Sequence, residues 1–211
     1  MPTSARSYPV NLRLGGQRCL VVGGGAIAHR KALGLLEAGA RVHVIAPAVI
    51  DTLASLPGVT VERRAYVPGD LGGYRLVIAA TGDPDVNRSV YDDAEAAGVW
   101  INAADDPASC SFTLPAKGRR GPLLVTVATE GTSPAFASWL RGRLEAEIGP
   151  EYETLLDLVA QARVDLQARG VPTEGLDWQE ALDSGMLELV REGHLAKAKE
   201  RLQACLSSSS G

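Results

Sequence analysis

The chain has 211 residues, 45% hydrophobic and 22% charged, with a formal net charge of −4 at pH 7. That composition suits a soluble globular protein with enough length to bury a core, and the acidic balance argues against a general nucleic-acid binder, which needs a basic face. No apolar run is long enough to span a bilayer, and the three cysteines (Cys19, Cys110, Cys205) lack CxxC spacing, which argues against a disulfide framework and a zinc cage.

The opening MPTSARSYPV has no apolar leader segment, and reduced thiols fit the cytosol, so a cytoplasmic protein is expected. Residues 9–14 predict a short strand, and residues 17–22 a buried parallel strand with Cys19 as a small buried thiol. Residues 26–38 predict a helix, with Ile27, Leu33, Leu35 and Leu36 on its apolar side and Gly39 as its stop. A strand over 41–46, a short helix over 50–56 and a strand over 60–64 follow. His43 in the first of these strands reads as a packing residue. Residues 76–80 predict another buried strand. The turn and cap residues of TGDPDVN then start a helix reaching Ala97, and residues 100–103 form a fifth strand. Strands alternating with helices imply a parallel sheet with right-handed crossovers.

The pattern then changes. Strands over 112–116 and 123–129, separated by KGRRGP, predict an antiparallel hairpin with the basic run at its tip. Ser133 as N-cap and Pro134 at the first position start a helix to about Ile148. Helices are expected over 152–168, 178–184 and 195–206. The fold class is therefore α/β: a Rossmann-like parallel-sheet domain over 1–112, a hairpin-plus-helix section over 113–148, a small helical domain over 149–206, and a disordered tail over 207–211.

Gly23, Gly25 and Ala28 form G-x-G-x-x-A between the first buried strand and its helix. Gly23 permits the tight turn, Gly25 lets a pyrophosphate approach the backbone, and Ala28 lets the helix pack on the sheet. The helix N-terminus offers N–H groups and partial positive charge to the phosphates. No acidic residue follows Val44 to hold a ribose, which leaves NAD and NADP open on this ground. Backbone near Ala46, Pro47 and Ala48 is the candidate for the adenosine end.

Ligands of an open parallel sheet bind beyond the carboxyl ends of its strands. Thr81 and Gly82 end one such strand and flank the nicotinamide half. Asn102 opens NAADDP at the end of another. A carboxylate there can act as general base. Asp105 and Asp106 point to opposite sides of an extended segment, so only one would face the crevice, and DDP is also a turn signal. Lys117, Arg119 and Arg120 supply a basic patch for a polyanion, or only a solvated turn. No metal-ligand set is legible.

Together, YPVNLRLGGQRCLVVGGGAIAHRKALGLLEAGARVHVIAP, VIAATGDPDVN, INAADDPASCSFTLPA and GPLLVTVATEGTSPAFASWLRGRLE resemble the dehydrogenase/ferrochelatase module of siroheme synthases. The resemblance runs from about Tyr8 to Glu147. It implies NAD-dependent oxidation of precorrin-2 to sirohydrochlorin, a tetrapyrrole substrate, a homodimer built through the 113–148 section, and, for many members, Fe2+ insertion. It leaves open whether this chain chelates iron. The family aspartate ending N-x-x-D matches Asp105, implying the catalytic residue. Family cofactor positions match Ala26, Ile27, Pro47 and Ala48, beside Gly23, Gly25, Thr81, Gly82 and Asn102. Lys117, Arg119, Arg120, Thr129 and Ser133 become substrate-binding candidates. The family's S/T-G-G reads Thr129-Glu130-Gly131 here, so Glu130 departs from it. A regulatory module that binds NAD without chemistry is the competing reading; it needs the glycine loop but neither Asp105 nor the basic run.

Overall fold

The computed structural model describes residues 6–104 and 106–208. The chain divides into two compact units, Met1–Leu114 and Pro115–Gly211. In the first, five strands form one parallel sheet: β1 (Arg18–Val22), β2 (Arg41–Ile45), β3 (Val59–Glu62), β4 (Leu76–Ala79) and β5 (Trp100–Ala103), in the order β3-β2-β1-β4-β5. The central strands are continuous apolar runs because helices cover both of their faces. On one face α1 (Ala26–Glu37) packs Ala28, Ala32 and Leu35 against Cys19, Val21, Val44 and Ile78. On the other, α3 (Pro84–Ala97) packs Val90 and Ala94 against Leu20, Val22, Val77 and Ala79. Burial pushes the Cys19 thiol up to about 11, so it is a packing group. A short α2 (Asp51–Ala54) leads into β3.

The strand order reverses between β1 and β4. This is the topological switch of a Rossmann-like sheet, and the crevice beyond the strand ends there is where such folds bind ligands. Asp83 caps α3 by accepting from the N–H groups of Asp85 and Val86, and Gly98 ends it in the left-handed region at φ 65°.

The expected strand over 9–14 does not form. Its alternation of Val10, Leu12 and Leu14 is that of a strand, but it pairs with nothing. Only Leu14 is buried, while Val10 and Leu12 stay exposed. A strand needs a partner's hydrogen bonds, and alternation alone supplies none.

In the second unit, β6 (Ala116–Arg120) and β7 (Leu123–Val127) pair antiparallel, with Arg120 opposite Leu123. The turn is therefore Gly121–Pro122, with Gly121 at φ 51°. This corrects two expectations. Residues 112–116 are not the first strand of the hairpin, and Lys117, Arg119 and Arg120 are strand residues rather than its tip. A two-stranded ribbon exposes much of its surface, so charges sit in it without burial cost.

Helix α4 (Pro134–Glu147) lies on this hairpin. Helices α5 (Glu151–Ala168), α6 (Trp178–Asp183), α7 (Met186–Arg191) and α8 (Leu195–Ser208) close a separate apolar cluster around Leu155, Ala181, Met186, Val190, Ala198, Leu202 and Leu206. Helix α7 is absent from the sequence expectations. At six residues it is too short to show a period, and burial of Met186 and Val190 holds it. Helix α8 continues through Ser207 and Ser208, where the sequence predicts a disordered tail; residues 209–211 lie outside the described residues.

Candidate active site

The carboxyl ends of β1, β4 and β5 are stitched edge to edge. The Ala80 N–H donates to the Val22 carbonyl at 2.7 Å, and the Ala104 N–H to the Ala79 carbonyl at 2.8 Å. The loops that follow these strands therefore open on one edge.

The first is Gly23-Gly24-Gly25. Gly23 has φ 130°, and a Cβ there would stand 2.3 Å from the Ala80 carbonyl oxygen. Gly24 is tighter: a Cβ would stand 1.9 Å from the Ala48 carbonyl oxygen. The Gly24 carbonyl also accepts from the Ile50 N–H at 2.9 Å, which ties the segment holding Pro47 and Ala48 to the loop. The G-x-G-x-x-A spacing passes over Gly24. Its signal is the unbroken run Gly23-Gly24-Gly25, and the reason is the close approach of another backbone.

Gly25 faces open space, with no atom within 4 Å of a Cβ built on it. It is the N-cap of α1 and supplies no side-chain cap. The first helical bond runs from the His29 N–H to the Gly25 carbonyl, so the N–H groups of Ala26, Ile27 and Ala28 precede the helical ladder. A bare backbone cradle at an uncapped helix start fits a pyrophosphate. Ala26 is exposed there, while Ile27 also packs on the core. Pro47 and Ala48 are exposed after β2.

Thr81 and Gly82 follow β4. The Thr81 hydroxyl lies 2.7 Å from Asn87 Oδ1 and 2.9 Å from the Asp83 carbonyl, and the Asn87 amide donates to the Thr81 carbonyl. Thr81 thus builds the turn into α3, and Gly82 is exposed beside it.

After β5, Asp105 lies outside the described residues. Its neighbour Asp106 is accounted for. It accepts from the Ala108 N–H at 3.1 Å and caps the single 3-10 turn Pro107–Ser109. Hydrogen bonding from Ser109 holds its carboxyl below the ordinary range. Asn102 is buried, and its amide is fully engaged. Oδ1 accepts from Lys31 Nζ at 2.9 Å, and Nδ2 donates to the Phe112 carbonyl at 3.1 Å and reaches Cys110 Sγ at 3.5 Å. The Cys110 thiol accepts from the Ala103 N–H at 3.2 Å, and burial raises its pKa. His43 bonds the Tyr74 hydroxyl and stacks on its ring.

In the second unit the cations divide. Gly118 faces Glu145 of α4, and the Arg120 guanidinium donates to the Ile148 carbonyl at 3.3 Å. Strand alternation sets Lys117 and Arg119 apart from Gly118 and Arg120, although Arg119 still borders a hollow beside Glu145. That shallow hollow, of about 280 Å³, is lined by Arg119 and Arg120 with Leu123, Val125 and Glu145. Thr129 Oγ1 accepts from the Ser133 N–H at 3.2 Å, and Ser133 Oγ caps α4 by accepting from the Phe136 N–H at 3.2 Å.

Between them, Glu130 sits at φ 49°, a left-handed conformation that suits glycine. A glycine at this position would carry no such strain. Glu130→Gly is therefore expected to be more stable than Glu130→Ala by about 1 kcal/mol, since both lack the carboxylate and only one is strained. Urea denaturation of the pair measures it.

Among the described residues, no three His, Cys, Asp or Glu side chains gather as a metal cage. Among the same residues, no helix is long and apolar enough to cross a membrane.

Residues 10–116 match a family model described as "Putative NAD(P)-binding". The chain belongs to this NAD(P)-binding family. The match spans the parallel-sheet unit almost entirely, and the glycine cradle is the part of that domain that suits a dinucleotide. The chain is also similar to siroheme synthase of Nitrosomonas europaea, 38% identical over 207 residues, covering 95% of this chain and 44% of that protein. Siroheme synthase of Pseudomonas entomophila is 39% identical over 206 residues, with 95% and 44% covered. The chain thus spans less than half the length of these curated relatives. The solved structure of "SirC, precorrin-2 dehydrogenase" matches with a TM-score of 0.74 at 27% identity, covering 94% of this chain and 98% of that one. That match extends over both units of the chain.

Proposed function

We propose that the chain oxidises precorrin-2 to sirohydrochlorin with NAD+ as the acceptor. The observation that carries the reading is the shared edge: the glycine cradle, the uncapped start of α1 and the loop after β5 all leave one sheet at its carboxyl side. Likeness to a precorrin-2 dehydrogenase over nearly the whole chain supports the substrate.

Held by its pyrophosphate in the cradle, NAD+ would supply the hydride acceptor. The chain's own groups do the rest. The N–H groups of Ala26, Ile27 and Ala28 would hold the pyrophosphate, and backbone at Pro47 and Ala48 would hold the adenosine end, so a ribose-binding acid after β2 is not required. Thr81 and Gly82 shape the turn beside the nicotinamide half. Asn102 sets the end of β5, and Asp105 takes the proton that leaves the macrocycle as the hydride departs. Asp106 is already committed as a turn cap. Lys117 and Arg119 attract the carboxylate arms of the tetrapyrrole despite the acidic average. Thr129 and Ser133 set the loop before α4.

A homodimer is part of the proposal. On α4, Phe136 and Trp139 are 52% and 55% exposed, with ring centroids 5.4 Å apart. Two adjacent exposed aromatics on one helix favour a partner surface. Trp139→Glu is expected to shift the protein from dimer to monomer in sedimentation at micromolar concentration. The three free cysteines favour a reducing compartment such as the cytoplasm.

The test is direct. Purified protein with precorrin-2 and NAD+ yields sirohydrochlorin, seen by its absorbance. A protein that binds NAD+ and forms no product would instead be a sensor. Fe2+ added to the same reaction decides chelation: siroheme forms faster than in the protein-free control if the chain inserts iron, and at the control rate if it does not.

A further inference from the structure

The loop after β5 is closed at its neck. Asn102 bridges Cys110, the Ser111 N–H donates to the Ile101 carbonyl at 2.9 Å, and the Ile101 N–H returns to Ser111 Oγ at 2.8 Å. Inside that neck the Cys110 thiol is within 3.3 Å of the Ala103 and Asp106 carbonyls. These bonds set the loop against β5 but not against the cofactor helix. Another contact does that. Lys31, on the second turn of α1, donates to Asn102 Oδ1, and the Asn102 amide passes the constraint to Phe112 and Cys110. A charged donor on a nearly buried acceptor is among the stronger hydrogen bonds, and it spans 71 positions of sequence.

We propose that Lys31 is a positioning residue for the oxidation: through Asn102 it ties the helix whose N-terminus takes the pyrophosphate to the neck of the loop that bears Asp105. This rests on the function proposed above. Hydride and proton leave the substrate toward two different groups, so the distance between cofactor and base must be held. The Lys31–Asn102 bond holds it at the neck itself.

The experiment compares wild type, Lys31→Met, Asn102→Ala and the double variant. Two readouts are taken: steady-state kinetics with precorrin-2 and NAD+, and amide hydrogen exchange without substrate. Lys31→Met is expected to lower kcat by about 10- to 100-fold, with the KM for NAD+ within twofold. Exchange at Ala103 and Ser111 should quicken about tenfold, while β1 and β4 stay as protected as in wild type. The double variant should be no slower than the worse single one, because both remove one link. Lys31→Arg, which keeps a donor, should recover most of kcat. Wild-type kcat and exchange in Lys31→Met would overturn the proposal. So would additive losses in the double variant, or faster exchange spread through β1 and β4, which marks general destabilisation. If wild-type protein turns over no precorrin-2, the proposed function fails, and the exchange arm alone decides whether Lys31 locks the loop.

Discussion

Asp105→Ala is expected to lower kcat for precorrin-2 oxidation by about 10²- to 10⁴-fold, the usual contribution of a positioned general base. The Kd for NAD+ should stay within about twofold, because the cradle is backbone from another loop. Asp106→Ala should keep kcat within a fewfold of wild type. Its carboxyl caps the exposed Pro107–Ser109 turn, a local structural role away from the chemistry. Kinetics and NAD+ calorimetry on the two variants separate the roles. If Asp106→Ala is the inactive one, the base has been assigned to the wrong carboxylate.

The pH dependence of Asp106 is opposite in sign to a simple burial effect. Hydrogen bonding holds the Asp106 carboxyl down, so its cap contributes above the ordinary carboxylate range and is lost as pH falls through the lowered value.

The glycine loop carries the second large effect. Gly24→Ala places a methyl 1.9 Å from the Ala48 carbonyl oxygen, where only backbone can yield. It should cost the parallel-sheet unit about 1–3 kcal/mol, as overpacking does. NAD+ affinity should fall at least tenfold, because the segment with Pro47 and Ala48 must move. Gly25→Ala is the contrast. Its φ of −93° and ψ of −169° suit any residue, and nothing lies within 4 Å. Stability should change by less than about 0.5 kcal/mol. Affinity should still fall about tenfold or more, since the methyl projects into the space assigned to the pyrophosphate. Denaturation with NAD+ titration tests both, and a Gly25→Ala protein that binds NAD+ like wild type would refute the cradle.

The parallel sheet was legible because its signal is local. Buried runs such as Leu76–Ala79 and the strand-glycine-helix passage at Val22 to Ala28 carry their own pattern. The hairpin was misplaced because its strand β6, Ala116–Arg120, is polar and exposed, and charge was read as a turn. The strand expected over 9–14 had the right alternation but no partner, which no local pattern reveals.

At the site, Gly23, Gly25 and Ala28 were readable from spacing, whereas Gly24 was not, because Ala48 presses on it from across the fold. Asn102 was expected to hold cofactor. Its engaged amide, reached by Lys31 from 71 residues away, is likewise a product of tertiary packing.

One measurement bears most directly on the account: a single-turnover reaction of protein, precorrin-2 and NAD+, following NADH and sirohydrochlorin together. Two-electron oxidation at one crevice predicts one NADH for each sirohydrochlorin, rising with a common rate constant. Sirohydrochlorin without NADH, or NAD+ bound with neither product formed, would contradict it.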